Sequence, residues 1–183
     1  MKKNIWLIIG LISLVLSFLI DRYILLFFNS IKLGFLDLFF IIIDFLGKWY
    51  VVLIFISALF LVKYRKLVLP FWIGFVLNMI INVVLKTLIA RPRTNGAVEY
   101  FTFTNIVSYA FPSGHVMAVF FVLPFLKGIE KKLWLIFVLL TVISRLYLGI
   151  HYLSDVIAGA LIGYFVGVFI FQRKEKIIKM ILR

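Results

Sequence analysis

Long apolar runs broken by short polar clusters, which hold nearly every charge, set the pattern of this chain. Runs of this length predict membrane-spanning helices. The first covers residues 5–20 and extends toward residue 28, behind Met1-Lys2-Lys3-Asn4. No small-x-small site follows it, Ser17-Phe18-Leu19 being a poor match, so it reads as an uncleaved span and not as a removed signal. Further spans are predicted at residues 46–62, 67–90, 113–126, 133–148 and 152–171, six in all. Between the first two, residues 23–47 carry Asp37, Leu38, Ile41, Asp44 and Phe45 at helical spacing, the pattern of a helix lying in the membrane interface. Several spans are short for a bilayer, which puts their polar ends at the water boundary.

Composition agrees with that pattern. The 183 residues are 65% hydrophobic and only 15% charged, with a mean hydropathy of +1.19, far outside the range of soluble domains. No segment between the runs is long and polar enough to bury a core of its own. The expected fold is therefore an all-α membrane protein, a six-transmembrane-helix bundle forming one membrane-embedded domain over residues 1–183. The absence of cysteine excludes disulfides, thiolate catalysis and cysteine metal sites. A net charge of +13 is explained by cationic loops, so nucleic acid is set aside as a partner.

The charges also orient the bundle. With the N-terminus in the cytoplasm, 13 of the 20 lysines and arginines lie there. Of the other seven, Lys86, Arg91, Arg93 and Arg145 belong to the candidate site below, leaving Arg22, Lys32 and Lys48. The positive-inside rule then predicts cytoplasmic termini and an outward face for the loops holding Arg91, His115 and His151.

Candidate chemistry is concentrated in three stretches. In Ser144-Arg145-Leu146-Tyr147-Leu148-Gly149-Ile150-His151-Tyr152-Leu153-Ser154-Asp155, helical spacing puts His151 and Asp155 on one face, one turn apart. A carboxylate there fixes the imidazole tautomer and frees the other nitrogen as base or nucleophile. Gly159, Gly163 and Gly167 continue the same face, which predicts close packing on a neighbouring helix. Phe111-Pro112-Ser113-Gly114-His115 opens a helix with Ser113 as the expected cap, and its free N–H groups make an anion site that His115 can reach. Asn78, Asn82 and Lys86 form a polar stripe that should face the bundle interior, followed by Arg91-Pro92-Arg93. Taken singly, each stretch also has a purely structural explanation: a mutually satisfied pair, a cap, or cations at lipid headgroups.

The three together resemble the type 2 phosphatidic acid phosphatase family. That pattern is a lysine, six intervening residues and Arg-Pro, then Pro-Ser-Gly-His, then Ser-Arg, five residues, His, three residues and Asp. Lys86 with Arg93 matches the first piece, Pro112 to His115 the second, and Ser144, Arg145, His151 and Asp155 the third. The likeness extends over the six-span layout to Phe171. One departure is Thr94, where the family has proline; Arg91-Pro92 offers an Arg-Pro two residues earlier, so Arg91 is a possible substitute for Arg93.

The resemblance implies a lipid phosphatase. His151 would attack phosphorus and form a phosphohistidine, Asp155 would orient it, and His115 would be the general acid and then the base. Lys86, Arg93 and Arg145, with Ser113 and Gly114, would hold the phosphate. Cations and a helix N-terminus supply the charge neutralisation that phosphoryl transfer needs. The outward carboxylates Asp21, Asp37, Asp44, Glu99 and Asp155 show no two at metal-ligand spacing near the site, so neither metal nor cofactor is expected. The expected partner is a membrane lipid within the bilayer, of a bacterial plasma membrane. The substrate favoured at this point is lipid A 1-phosphate with overlap onto undecaprenyl pyrophosphate, ahead of phosphatidylglycerol phosphate. A non-enzymatic carrier of anionic lipids is the rival, and needs cations but no nucleophile. Aromatics from Tyr100 to Phe111 read as an interfacial belt. Oligomeric state is not legible.

Overall fold

In the computed structural model, which describes residues 2–94 and 109–181, every regular element is helical. The first apolar run forms α1 (Lys2–Ser30), continuous through Arg22. Helix α2 (Gly34–Leu46) turns by 62° at Gly47 into α3 (Trp49–Lys63). Two long helices, α4 (Arg65–Ile89) and α7 (Leu153–Ile181), flank a short one, α5 (Gly114–Val122), which ends in a 3-10 turn at Leu123–Phe125. Between α5 and α7 runs α6 (Gly128–Tyr147).

Of these, α1, α4 and α7 are long and apolar enough to cross a bilayer, and the bent pair α2–α3 makes a fourth crossing if taken as one. Their outward faces are apolar: Val15, Leu19, Val62 and Leu88 are among many large side chains left exposed. A surface of this kind is stable against lipid and not against water. The protein is an integral membrane protein.

The glycine stripe explains why α5 and α7 meet so closely. A Cβ at Gly159 would sit 2.7 Å from the Ser113 carbonyl, and one at Gly163 or Gly167 would strike the carbonyls of Met117 or Phe121. Only hydrogen at these positions lets the backbones approach. On the opposite side α4 presents its polar stripe inward. Asn78 Nδ2 donates to the Met117 carbonyl at 3.2 Å, and Asn82 Nδ2 to the Pro112 carbonyl at 3.3 Å. The start of α5 is thus gripped between α4 and α7. Toward the far end of the bundle, the rings of Phe60, Phe71, Phe121 and Phe125 pack edge-on or tilted at centroid distances of 5.2–6.2 Å and close the core. The polar site lies at the other end.

Candidate active site

Three carbonyl-to-amide bonds shape the connection that presents His151. Helix α6 closes with Leu148 N–H on Ser144, Gly149 N–H on Leu146 and Ile150 N–H on Arg145. Gly149 adopts φ +68°, which a side chain would resist, and this turns the chain back toward α7. Thr94 Oγ1 donates to the Gly149 carbonyl, so the residue standing in the family's proline position pins this turn.

His151 itself lies two residues before α7, not inside it as the spacing suggested, yet it still faces the aspartate: Nδ1 is 3.4 Å from Asp155 Oδ2. The same Oδ2 accepts the Tyr152 N–H at 2.9 Å, so the carboxylate caps the helix and meets the imidazole together. Both side chains are buried. Burial first, and then the charges of Arg145, Lys86, Arg93 and His115, push the His151 imidazole well below its ordinary pKa. Both effects favour the uncharged imidazole.

Arg91, which the sequence leaves as a substitute phosphate ligand, is held by carboxylates. Its Nη1 donates to Asp155 Oδ1 at 2.7 Å and to Ser154 Oγ at 2.6 Å, and its Nη2 to Asp21 Oδ2 at 2.8 Å. Asp21, from α1, also accepts the Ser154 N–H at 2.8 Å. The Tyr152 ring covers the guanidinium at 4.0 Å. Arg91 therefore stands behind the His151–Asp155 pair, while the charge of Arg93 acts on Lys86 and on both histidines. The two arginines have separate places.

On the facing side, Ser113 occupies the N-cap position of α5 but its hydroxyl makes no capping bond. Its N–H donates to the Asp155 carbonyl at 3.0 Å, joining α5 to the start of α7. The buried Ser113 Oγ, His115 Nε2 and Arg145 Nε have no hydrogen-bond partner among the described residues, an arrangement suited to an anion. Gly114 is packed against Asn82 Oδ1, where a Cβ would lie at 3.1 Å. Lys86 Nζ donates to the Tyr109 carbonyl and, at 3.5 Å, to that of Ala110, so it is engaged with the backbone leading into α5.

Two carboxylates that spacing could not connect enter the site. Asp44 of α2 forms an ion pair with the buried Arg145, and its Oδ1 is 3.8 Å from His115 Nε2. Asp21 joins through Arg91. They reach it because α1 and α2 fold across the site, about a hundred residues or more from Arg145 and His151 in sequence. A signal was present: a carboxylate within an apolar membrane helix usually has a function or a partner. Among the described residues no group of three His, Asp or Glu is arranged to hold a metal. Glu99 and the aromatics Tyr100, Phe101 and Phe103 lie outside the described residues.

A bundle of apolar helices with two imidazoles, an aspartate and several cations gathered at one end defines a membrane-embedded hydrolase of phosphoric esters. The chain belongs to the PAP2 superfamily of lipid phosphatases, whose family model matches residues 67–179. It is 33% identical over 168 residues to the lipid A 4′-phosphatase of Bacteroides thetaiotaomicron, covering 81% of this chain and 74% of that one. It is 31% identical over 116 residues to an undecaprenyl-diphosphatase of Sulfolobus acidocaldarius, covering 59% and 56%. The crystal structure of a PAP2-type phosphatidylglycerolphosphate phosphatase from Bacillus subtilis superposes with a TM-score of 0.76 at 27% identity, over 96% of this chain and 98% of that one.

Proposed function

We propose that this chain hydrolyses a phosphomonoester or pyrophosphate of an amphiphile through a phosphohistidine on His151. The observation that supports this most is the approach of the buried His151 to Asp155, with Nδ1 3.4 Å from Oδ2, which turns Nδ1 toward the carboxylate and leaves Nε2 for attack. His151 Nε2 bonds to phosphorus as the bond to the lipid oxygen breaks, and His115 gives that oxygen its proton. Water then attacks the phosphohistidine, His115 takes the water proton, and the bond's electron pair returns to Nε2 as phosphate leaves. Arg145, Arg93 and Lys86, with Ser113 and the Gly114 N–H, neutralise the phosphoryl oxygens, Lys86 exchanging a backbone carbonyl for phosphate. No metal takes part in this scheme.

Lipid A is the substrate class we favour, on the names of the more extensively matching relatives, with its 4′ and 1 phosphates as the two positions to compare. Undecaprenyl pyrophosphate and phosphatidylglycerol phosphate follow. The reading further includes a single domain over residues 1–183, six spans with α2 in the interface, cytoplasmic termini and an extracytoplasmic site. Phosphate release from a panel of these lipids by purified protein in detergent is the test. Wild type releases phosphate from at least one; His151→Ala releases none and Asp155→Asn little. Wild-type turnover by His151→Ala overturns the nucleophile, and loss of activity with a chelator that magnesium restores overturns the metal-free scheme.

A further inference from the structure

Helix α2 folds across the anion site and rests mainly on α6. Its two carboxylates, Asp37 and Asp44, are two helical turns apart and so share a face. Both meet the last turn of α6, where Asp44 pairs with Arg145 and Asp37 meets Tyr147.

The Tyr147 side chain is buried, and its ring packs on Phe40 of α2 at a centroid distance of 4.5 Å. Its oxygen accepts the Leu33 N–H at 2.9 Å. Its single proton has two acceptors within reach, the Leu33 carbonyl at 3.1 Å and Asp37 Oδ1 at 2.8 Å; the nearer, charged one is the stronger. The phosphoryl transfer makes no use of this hydroxyl. The other face of α2 is apolar and open, with Phe35, Leu38 and Ile42 exposed. Without the Tyr147 hydroxyl, only apolar contacts around Leu36 and Phe40 would hold the first turns of α2 to α6.

Asp44 lies at the other end of α2, near its joint with α3. Its carboxylate occupies Arg145 and is 3.8 Å from His115 Nε2, where a phosphoryl oxygen must bind. A phosphate therefore enters by displacing Asp44. How readily Asp44 returns depends on whether α2 stays in place, because a tethered group acts at a high effective concentration and a loose one does not.

We propose that Tyr147 is a positioning residue: through Asp37 it keeps α2 seated on α6, so that Asp44 retakes Arg145 and drives inorganic phosphate out after hydrolysis. This rests on the phosphatase reading above. It also accounts for the buried Arg145, whose charge needs a partner whenever the phosphate is gone.

The test uses inorganic phosphate as the probe, on purified protein in detergent. Two quantities are read: the inhibition constant of phosphate against lipid phosphate hydrolysis, and the rise in melting temperature that phosphate produces. Tyr147→Phe keeps the ring, loses the hydroxyl, and tightens phosphate binding about fivefold, near 1 kcal/mol. Asp37→Ala does the same, while Asp37→Asn, whose carbonyl still accepts from the hydroxyl, stays near wild type. In an Asp44→Asn background Tyr147→Phe adds nothing, because no competing carboxylate is left to position. A lower melting temperature with phosphate binding unchanged, or the same tightening with and without Asp44, makes the hydroxyl merely structural and overturns the proposal. If phosphate stabilises a wild type that hydrolyses no lipid phosphate, the phosphatase reading falls, and the melting temperatures of the variants decide on the tether alone. A wild type that neither binds phosphate nor releases it overturns both.

Discussion

Arg91 Nη1 lies 2.7 Å from Asp155 Oδ1, the oxygen of that carboxylate not turned toward His151. The guanidinium also reaches Asp21, so one cation holds together three segments of the chain: α1, the segment after α4, and the start of α7. Removing it would leave two buried carboxylates without a counter-charge, an arrangement more costly than the absence of the whole network.

Arg91→Ala is expected to lower kcat about 10- to 100-fold, the size typical of losing an outer group that orients a site residue. Binding of inorganic phosphate or vanadate should change far less, and the melting temperature should fall. Arg91→Lys restores only part of the activity, because one ammonium cannot match a guanidinium fork shared by two carboxylates. An equal loss of anion binding in Arg91→Ala would mean that Arg91 touches the phosphate directly.

Asp44 gives a prediction whose sign decides its role. Its carboxylate pairs with Arg145 and faces His115 Nε2, the positions where a phosphoryl oxygen would bind. Substrate and Asp44 then compete for one guanidinium. Asp44→Asn should tighten inhibition by inorganic phosphate about tenfold, near 1.4 kcal/mol. The inhibition constant measured at fixed pH settles it: a weaker constant in the variant would make Asp44 a support of the site and not its competitor.

Gly163 and Gly34 make a matched pair. A methyl group at Gly163 would press into the Met117 carbonyl, whereas one at Gly34 would meet nothing within 4 Å. Gly163→Ala is expected to destabilise by about 1–3 kcal/mol, as overpacking does. It should also lower activity, since α5 carries Ser113 and His115 and α7 carries Asp155. Gly34→Ala should lie within about 0.5 kcal/mol of wild type. Thermal unfolding in detergent, followed with phosphate release, separates the two.

The chain has no cysteine, so single cysteines report topology without background. Lys48→Cys should react with an impermeant maleimide added to intact cells, and Lys127→Cys only after the membrane is opened. The reverse pattern would invert the bundle and place the site in the cytoplasm.

Much of this protein was readable along the chain. The apolar runs mark six of the seven helices, although α6 starts earlier, at Gly128, and α7 continues past residue 171 to Ile181, because in lipid a helix must satisfy its own backbone and the signal is therefore local. The glycine stripe and the Asn78–Asn82–Lys86 stripe announce their inward faces by period alone. His151 with Asp155, and Ser113 with His115, are likewise neighbours in sequence. What the chain could not show is where α1 and α2 come to rest. Asp21 and Asp44 look like isolated carboxylates until the bundle brings them to Arg91 and Arg145, and the two Arg-Pro-region arginines cannot be told apart until one is seen bound to Asp155. Spacing encodes contacts within one turn of helix; the pairing of charges across a bundle depends on how separate helices pack, and only the tertiary structure decides that.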